Sequence, residues 1–158
     1  QWGNPVTSEA LIQLALGAPQ PIYNGGLLHA RLRYFDLDRR RSGLPIGVAS
    51  LVEKLSADST TVKLVNTSVT ESHSLLIQAG TFGEHRFTEA HFETCNSIWP
   101  GGLGGYAGTY RADPLVTKMD SVTVKDSKIE IQMRPGMEIR LNLKTQRYVN
   151  DPSYTLPF

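Results

Sequence analysis

The sequence holds one cysteine, no apolar run long enough to span a bilayer, and almost no net charge. Each shortage excludes something. Cys95 alone cannot close an intramolecular disulfide, and no Cys-x-x-Cys redox or metal motif exists. It reads as a small apolar strand residue. A single cysteine fits a reducing compartment and equally an exported bacterial protein, so the compartment stays open. No stretch of about 18 apolar residues occurs, so neither a transmembrane helix nor a membrane partner is expected. A net charge of +1 argues against a dedicated nucleic-acid binder, which carries a basic excess. The start, Gln1-Trp2-Gly3, shows no charged-then-apolar signal and no initiator Met, which leads us to expect a processed protein or a piece of a longer one. What is present is ordinary for a folded domain: 158 residues, 40% hydrophobic and 20% charged. A chain of this size buries roughly 70% of its unfolded surface and needs no disulfide or metal staple.

The residue pattern predicts a mainly β fold, an antiparallel β-sandwich with one or two short helices. A single domain over 1–158 is expected, with an N-terminal helical appendage at about 1–26 and an apolar C-terminal tail at about 144–158. The helix is placed at Ser8 to Leu16, capped by Thr7 or Ser8 and ended by Gly17. Strands are expected at Leu27 to Phe35, Thr60 to Asn66, Ser74 to Ala79, Arg86 to Cys95, Asp120 to Lys125, Lys128 to Met133 and Glu138 to Leu143. Asp126-Ser127 reads as a two-residue hairpin turn between two of them. Pro45 to Leu55 fits a helix through Ile46, Ala49, Val52 and Leu55, and fits a strand through its β-branched residues.

Several clusters could carry chemistry. In a regular strand His85, Glu89, His91 and Glu93 share one face, as a metal site requires, but the spacing matches no established motif and no metal ligand is assigned. The plainer reading is a polar outer face with weak ion pairs. No Gly-x-Ser-x-Gly, His-Glu-x-x-His or phosphate-loop motif occurs, and Gly102-Leu103-Gly104 lacks the strand-to-helix setting of a dinucleotide site. Neither a catalytic residue nor a cofactor is therefore assigned. Arg39-Arg40-Arg41 is read as a solvated loop pairing with Asp36 and Asp38. Asn66-Thr67-Ser68 is a glycosylation sequon of a kind that arises by chance. The segment Trp99 to Tyr110 holds five of the 14 glycines. Trp99, Tyr106 and Tyr110 offer ring faces for sugar C–H groups, with Arg111 and Asp113 as polar orienters, which makes these five the candidate ligand-binding residues. The competing reading makes Trp99 a core plug. The tail from Arg147 to Phe158 is aromatic and proline-rich and is expected to pack along the sandwich or against another body.

Thr61-Val62-Lys63-Leu64-Val65-Asn66, Ser74-Leu75-Leu76-Ile77-Gln78-Ala79-Gly80 and Met133-Arg134-Pro135-Gly136-Met137-Glu138-Ile139-Arg140-Leu141 together resemble C-terminal β-sandwich accessory domains of large carbohydrate-active enzymes. The likeness covers residues 60 to 143, about half the chain, and carries over no site residue. It implies a noncatalytic accessory or carbohydrate-binding domain of a larger carbohydrate-active protein, with a glycan ligand and the rest of a larger polypeptide, or another subunit, as partners. Two alternatives stand beside it: a structural module that packs against another domain or subunit, and a small metal-dependent hydrolase using the His85/His91 strand.

Overall fold

The computed structural model describes residues 15–16, 30–96, 116–124 and 126–158. These residues form an antiparallel β-sandwich, with nine strands among them. These are β1 (Leu32–Asp36), β2 (Arg41–Ser42), β3 (Val48–Leu55), β4 (Ser59–Asn66), β5 (His73–Ala79), β6 (Arg86–Asn96), β7 (Val116–Thr123), β8 (Lys128–Met133) and β9 (Glu138–Gln146). One sheet has four strands in the order β2-β1-β5-β8, the other five in the order β3-β4-β9-β6-β7. Alternation drives the pairing of the two layers. Val62 and Leu64 of β4, and Ile139, Leu141 and Leu143 of β9, point inward and meet Leu32 and Tyr34 of β1 and Leu75, Ile77 and Ala79 of β5. The Tyr34 hydroxyl lies in this core, where it bonds Ser50 at 2.8 Å, and burial drives its ionisation well above the ordinary range.

Residues 48–55 form a strand, which decides the ambiguous segment. β3 pairs with β4 along nearly its whole length, and the β-branched residues win over the spacing-three stripe. Of the expected N-terminal helix only Ala15 and Leu16 lie within the described residues. Both are helical, and Leu16 packs on the core.

The expected hairpin at Asp126-Ser127 is corrected. β7 pairs with β6 in the five-stranded sheet, whereas β8 pairs with β5 in the four-stranded one. The 124–127 segment is therefore a crossover between layers. The Asp126 carbonyl accepts the Phe87 N–H at 2.9 Å and the Ser127 carbonyl accepts the Ala79 N–H at 2.8 Å, one from each sheet. A second crossover, 134–137, joins β8 to β9 and is tied down by Asn66. The buried Asn66 amide donates to the carbonyls of Glu71 (2.8 Å), Met133 (3.3 Å) and Arg134 (3.0 Å). A nitrogen so committed is not free to accept a glycan.

The last twelve residues, 147–158, lie across the outside of the four-stranded sheet. This explains why β5 is buried on both faces: Leu75 and Ile77 meet the core, while Leu76 and Gln78 are covered from outside. Phe158 sits edge-on to Phe35 at 6.1 Å, and Arg40 approaches the Phe158 ring at 6.0 Å. Here we call this segment the strap.

Candidate functional site: a strapped corner and its polar cleft

The corner begins at Gly80, with φ at +83° just past β5. A Cβ there would stand 2.5 Å from the Glu84 carboxylate, so the position demands glycine on two grounds, the left-handed backbone and the missing space. The turn closes on Glu84, only 6% exposed. Its carboxylate accepts the N–H of Thr81 at 3.3 Å and of Phe82 at 2.7 Å. These charge-assisted bonds keep a buried acid in place and hold the turn shut.

His85 follows, 3% exposed. Its Nδ1 accepts the Tyr148 N–H at 3.2 Å, which places the ring proton on Nε2, 3.9 Å from Glu84 Oε1. The Tyr148 ring stands edge-on to the imidazole at 4.7 Å. Burial pushes the His85 pKa below the ordinary imidazole value, Glu84 opposes that shift, and Arg147 and Arg31 add to it. The strap is then pinned along the turn. Glu84's carbonyl accepts the N–H of Val149 (3.0 Å) and Asn150 (3.3 Å), and Phe82's carbonyl accepts the Ser153 N–H (2.8 Å). The Asn150 side chain donates to the carbonyls of Gly83 (2.9 Å) and His85 (3.0 Å). The hold is polar rather than apolar: Tyr154 remains 82% exposed and Tyr148 62%.

Strap, turn and crossover together enclose an open cleft of about 360 Å³. Gln78 and Lys128 form its floor on the outer sheet face, where they are paired in register. Asp126 and Ser127 come from the crossover, and Asn150, Asp151, Ser153 and Thr155 from the strap. Phe82 lines the mouth, with Tyr154 packed on it at 4.8 Å. This is a half-polar recess with amide, hydroxyl, carboxylate and ammonium groups around an aromatic edge. Such a set suits a ligand rich in hydroxyls.

The row read as a possible metal face is divided by the structure. A register shift between Phe87 and Glu89 puts both Phe87 and Ala90 inward. A bulge of this kind reverses the side-chain parity. His85 therefore lies in the buried corner, while Glu89, His91 and Glu93 lie on the outer face of the five-stranded sheet. There they are engaged in ion pairs. Glu89 meets Lys144 at 2.5 Å and His91 at 2.8 Å, and Glu93 faces Arg140, which bonds Glu53 at 2.6 Å. The hydrogen bond from Lys144, before any other influence, lowers the Glu89 pKa. Among the described residues no group of three metal-ligating side chains converges. In the arginine loop Asp36 accepts from Arg41 Nε and the Arg39 N–H, both at 3.1 Å, while Asp38 accepts the Ser74 N–H at 2.9 Å.

The candidate ligand residues Trp99, Tyr106, Tyr110, Arg111 and Asp113 fall in the connection from β6 to β7, outside the described residues. Sequence reasoning assigned none of the cleft residues to a site; it placed Asp126-Ser127 in a turn and Asn150 to Thr155 in the apolar tail. The available signal was the pair Gly80 and Gly83 just ahead of a lone acid at Glu84, together with Asn150 in the strap. No protein-family model, curated protein or solved structure matches the chain.

Proposed function

We propose that this is a noncatalytic accessory domain of a larger carbohydrate-active protein, and that it holds glycan chains rather than cleaving them. The observation that carries the reading is the strapped cleft: an open polar recess with an aromatic edge at its mouth. Hydroxyl-rich ligands gain from such groups one hydrogen bond at a time, and a ring edge supplies apolar contact for sugar C–H faces. The buried acid and imidazole support a noncatalytic role. Glu84 is occupied by backbone donors, and the His85 acceptor nitrogen by the strap. An open cleft of this volume implies weak binding, on the order of micromolar to millimolar.

Affinity electrophoresis against a panel of neutral polysaccharides tests the proposal. Retardation that is lost in Lys128→Ala and Asp151→Ala at unchanged melting temperature places the ligand in the cleft. Retardation lost only in Trp99→Ala places it at the glycine-rich segment. No retardation on any polysaccharide defeats the reading. A second reading, a module that packs on another domain, is favoured by Tyr148, Tyr154 and Leu156, which stand exposed along one strap. It predicts association with the neighbouring part of the polypeptide that Tyr154→Ser weakens.

A further inference from the structure

The strap crosses the outer face of the four-stranded sheet. Its root is held in a conformation that its own residue disfavours. Tyr148 has φ at +53°, a left-handed backbone that a bulky side chain adopts only when its surroundings impose it. Three hydrogen bonds impose it: the Tyr148 N–H on His85 Nδ1, and the Val149 and Asn150 N–H groups on the Glu84 carbonyl. Of these acceptors only the imidazole nitrogen can be switched off by a proton.

Resting on the glycan reading of the cleft, we propose that His85 is a proton-operated latch: protonation of Nδ1 removes the acceptor for the Tyr148 amide, frees the strap root at 148–150 and dismantles the cleft wall that Asn150 and Asp151 form. An imidazolium carries N–H at both nitrogens, so the Tyr148 N–H then faces another donor. The groups around the ring divide. Glu84, 3.9 Å from Nε2, stabilises the cation and draws the ring toward itself. Arg31, entering β1, and Arg147, on the strap, oppose it. Arg147 also lies over the Tyr148 ring at 5.0 Å and donates to its hydroxyl at 3.2 Å, so a positive His85 faces the positive end of the strap it is meant to hold. Release at the root is local. Ser153 on Phe82 and Phe158 on Phe35 contain no titrating acceptor and stay in place. The carbonyl of His85 receives the Asn150 side chain, so movement of the ring's own backbone loosens the wall residue directly.

The test uses the full chain, labelled for NMR, between about pH 7.5 and about pH 5, the interval in which a histidine switch acts. In the wild type the His85 ring and the Tyr148 and Asn150 amides should shift with one common midpoint, below the 6.5 of an ordinary histidine. Exchange of the Tyr148 amide, referred to the Leu141 amide in β9, should quicken by about tenfold, the worth of one hydrogen bond. In His85→Asn the side-chain oxygen stands near the place of Nδ1 and does not titrate, so the relative exchange rate should be flat. An equal change in His85→Asn, or a Tyr148 amide indifferent to His85 titration, overturns the latch. Should His85→Asn fail to fold, the coincidence of midpoints in the wild type decides alone. Binding of maltohexaose is followed over the same range. Affinity that falls with the same midpoint supports control of the cleft, and affinity that persists while the root opens overturns it. Absence of maltohexaose binding at every pH together with no retardation on any polysaccharide of the panel, the amides still titrating, defeats the glycan reading and leaves the latch standing.

Discussion

At the scale of single residues the fold depends on a few side chains that satisfy buried backbone. Asn66, itself buried, provides three donor contacts to the carbonyls of Glu71, Met133 and Arg134, the last of which also accepts the Met137 N–H. Asn66→Ala should therefore cost about 2–3 kcal/mol, read as a lower urea midpoint, because the acceptors left behind lose their partner without regaining water. Gly80→Ala should cost at least as much, roughly 2–4 kcal/mol, since it combines a left-handed φ with a clash against an anchored carboxylate. Equal urea midpoints for Gly80→Ala and wild type would mean that Glu84 swings clear. Neither role is visible in the residue alone. An Asn after a strand and a Gly before a turn are common, and only the partner positions make these two costly.

The strap and the outer face of the five-stranded sheet mark opposite extremes at the scale of elements. The strap covers Leu76, Gln78 and Phe35, and its anchors are backbone N–H groups with defined acceptors. Removing residues 147–158 should lower the melting temperature by several degrees and raise binding of an apolar dye, since the outer face of β1 and β5 would be uncovered. A truncated chain with the wild-type melting temperature would contradict the covering role. By contrast, the ladder of Glu53, Arg140, Glu93, Glu89 and Lys144 stands in water. Pairs of this kind lose in side-chain entropy and screening what they gain in attraction. Glu89→Gln should leave the melting temperature unchanged within error, and so should a chelator, because Glu89 and His91 already hold each other.

For the whole molecule the charge balance predicts a particular response to acid. His85 has a lower pKa folded than unfolded, so the unfolded chain binds more protons between the two values. Stability is then complete above the unfolded value of 6.5 and is lost as pH falls through that value toward the folded one. Urea midpoints measured from about pH 8 to about pH 5 should decline below about pH 6.5, the ordinary histidine value. The decline should be shallower in His85→Asn. A midpoint that rose on acidification would require His85 to be better bound as the cation, against the burial that dominates its surroundings.

The amino-acid sequence by itself determined the layers. Period-two alternation in Thr60 to Asn66 and Glu138 to Leu143 chooses which residues face inward, because a strand offers only two faces. It also determined that β9 begins after a tight turn, since Pro135-Gly136 admits little else, and Gly136 does take φ at +64°. Tertiary structure alone decided the connections. Asp126-Ser127 has the composition of a hairpin, yet its two carbonyls find donors in different sheets, and pairing partners far apart in sequence outrank local turn preference. The same holds for β6. A single extra residue at Thr88 reverses the parity of everything before it, and no local pattern announces a bulge set by register against β9. That reversal places His85 in the strapped corner and leaves His91 on the open sheet. The cleft was illegible for a related reason: its walls come from β5, the crossover and the strap, with Gln78 and Thr155 standing 77 positions apart, brought together only when the strap lies back across the sheet.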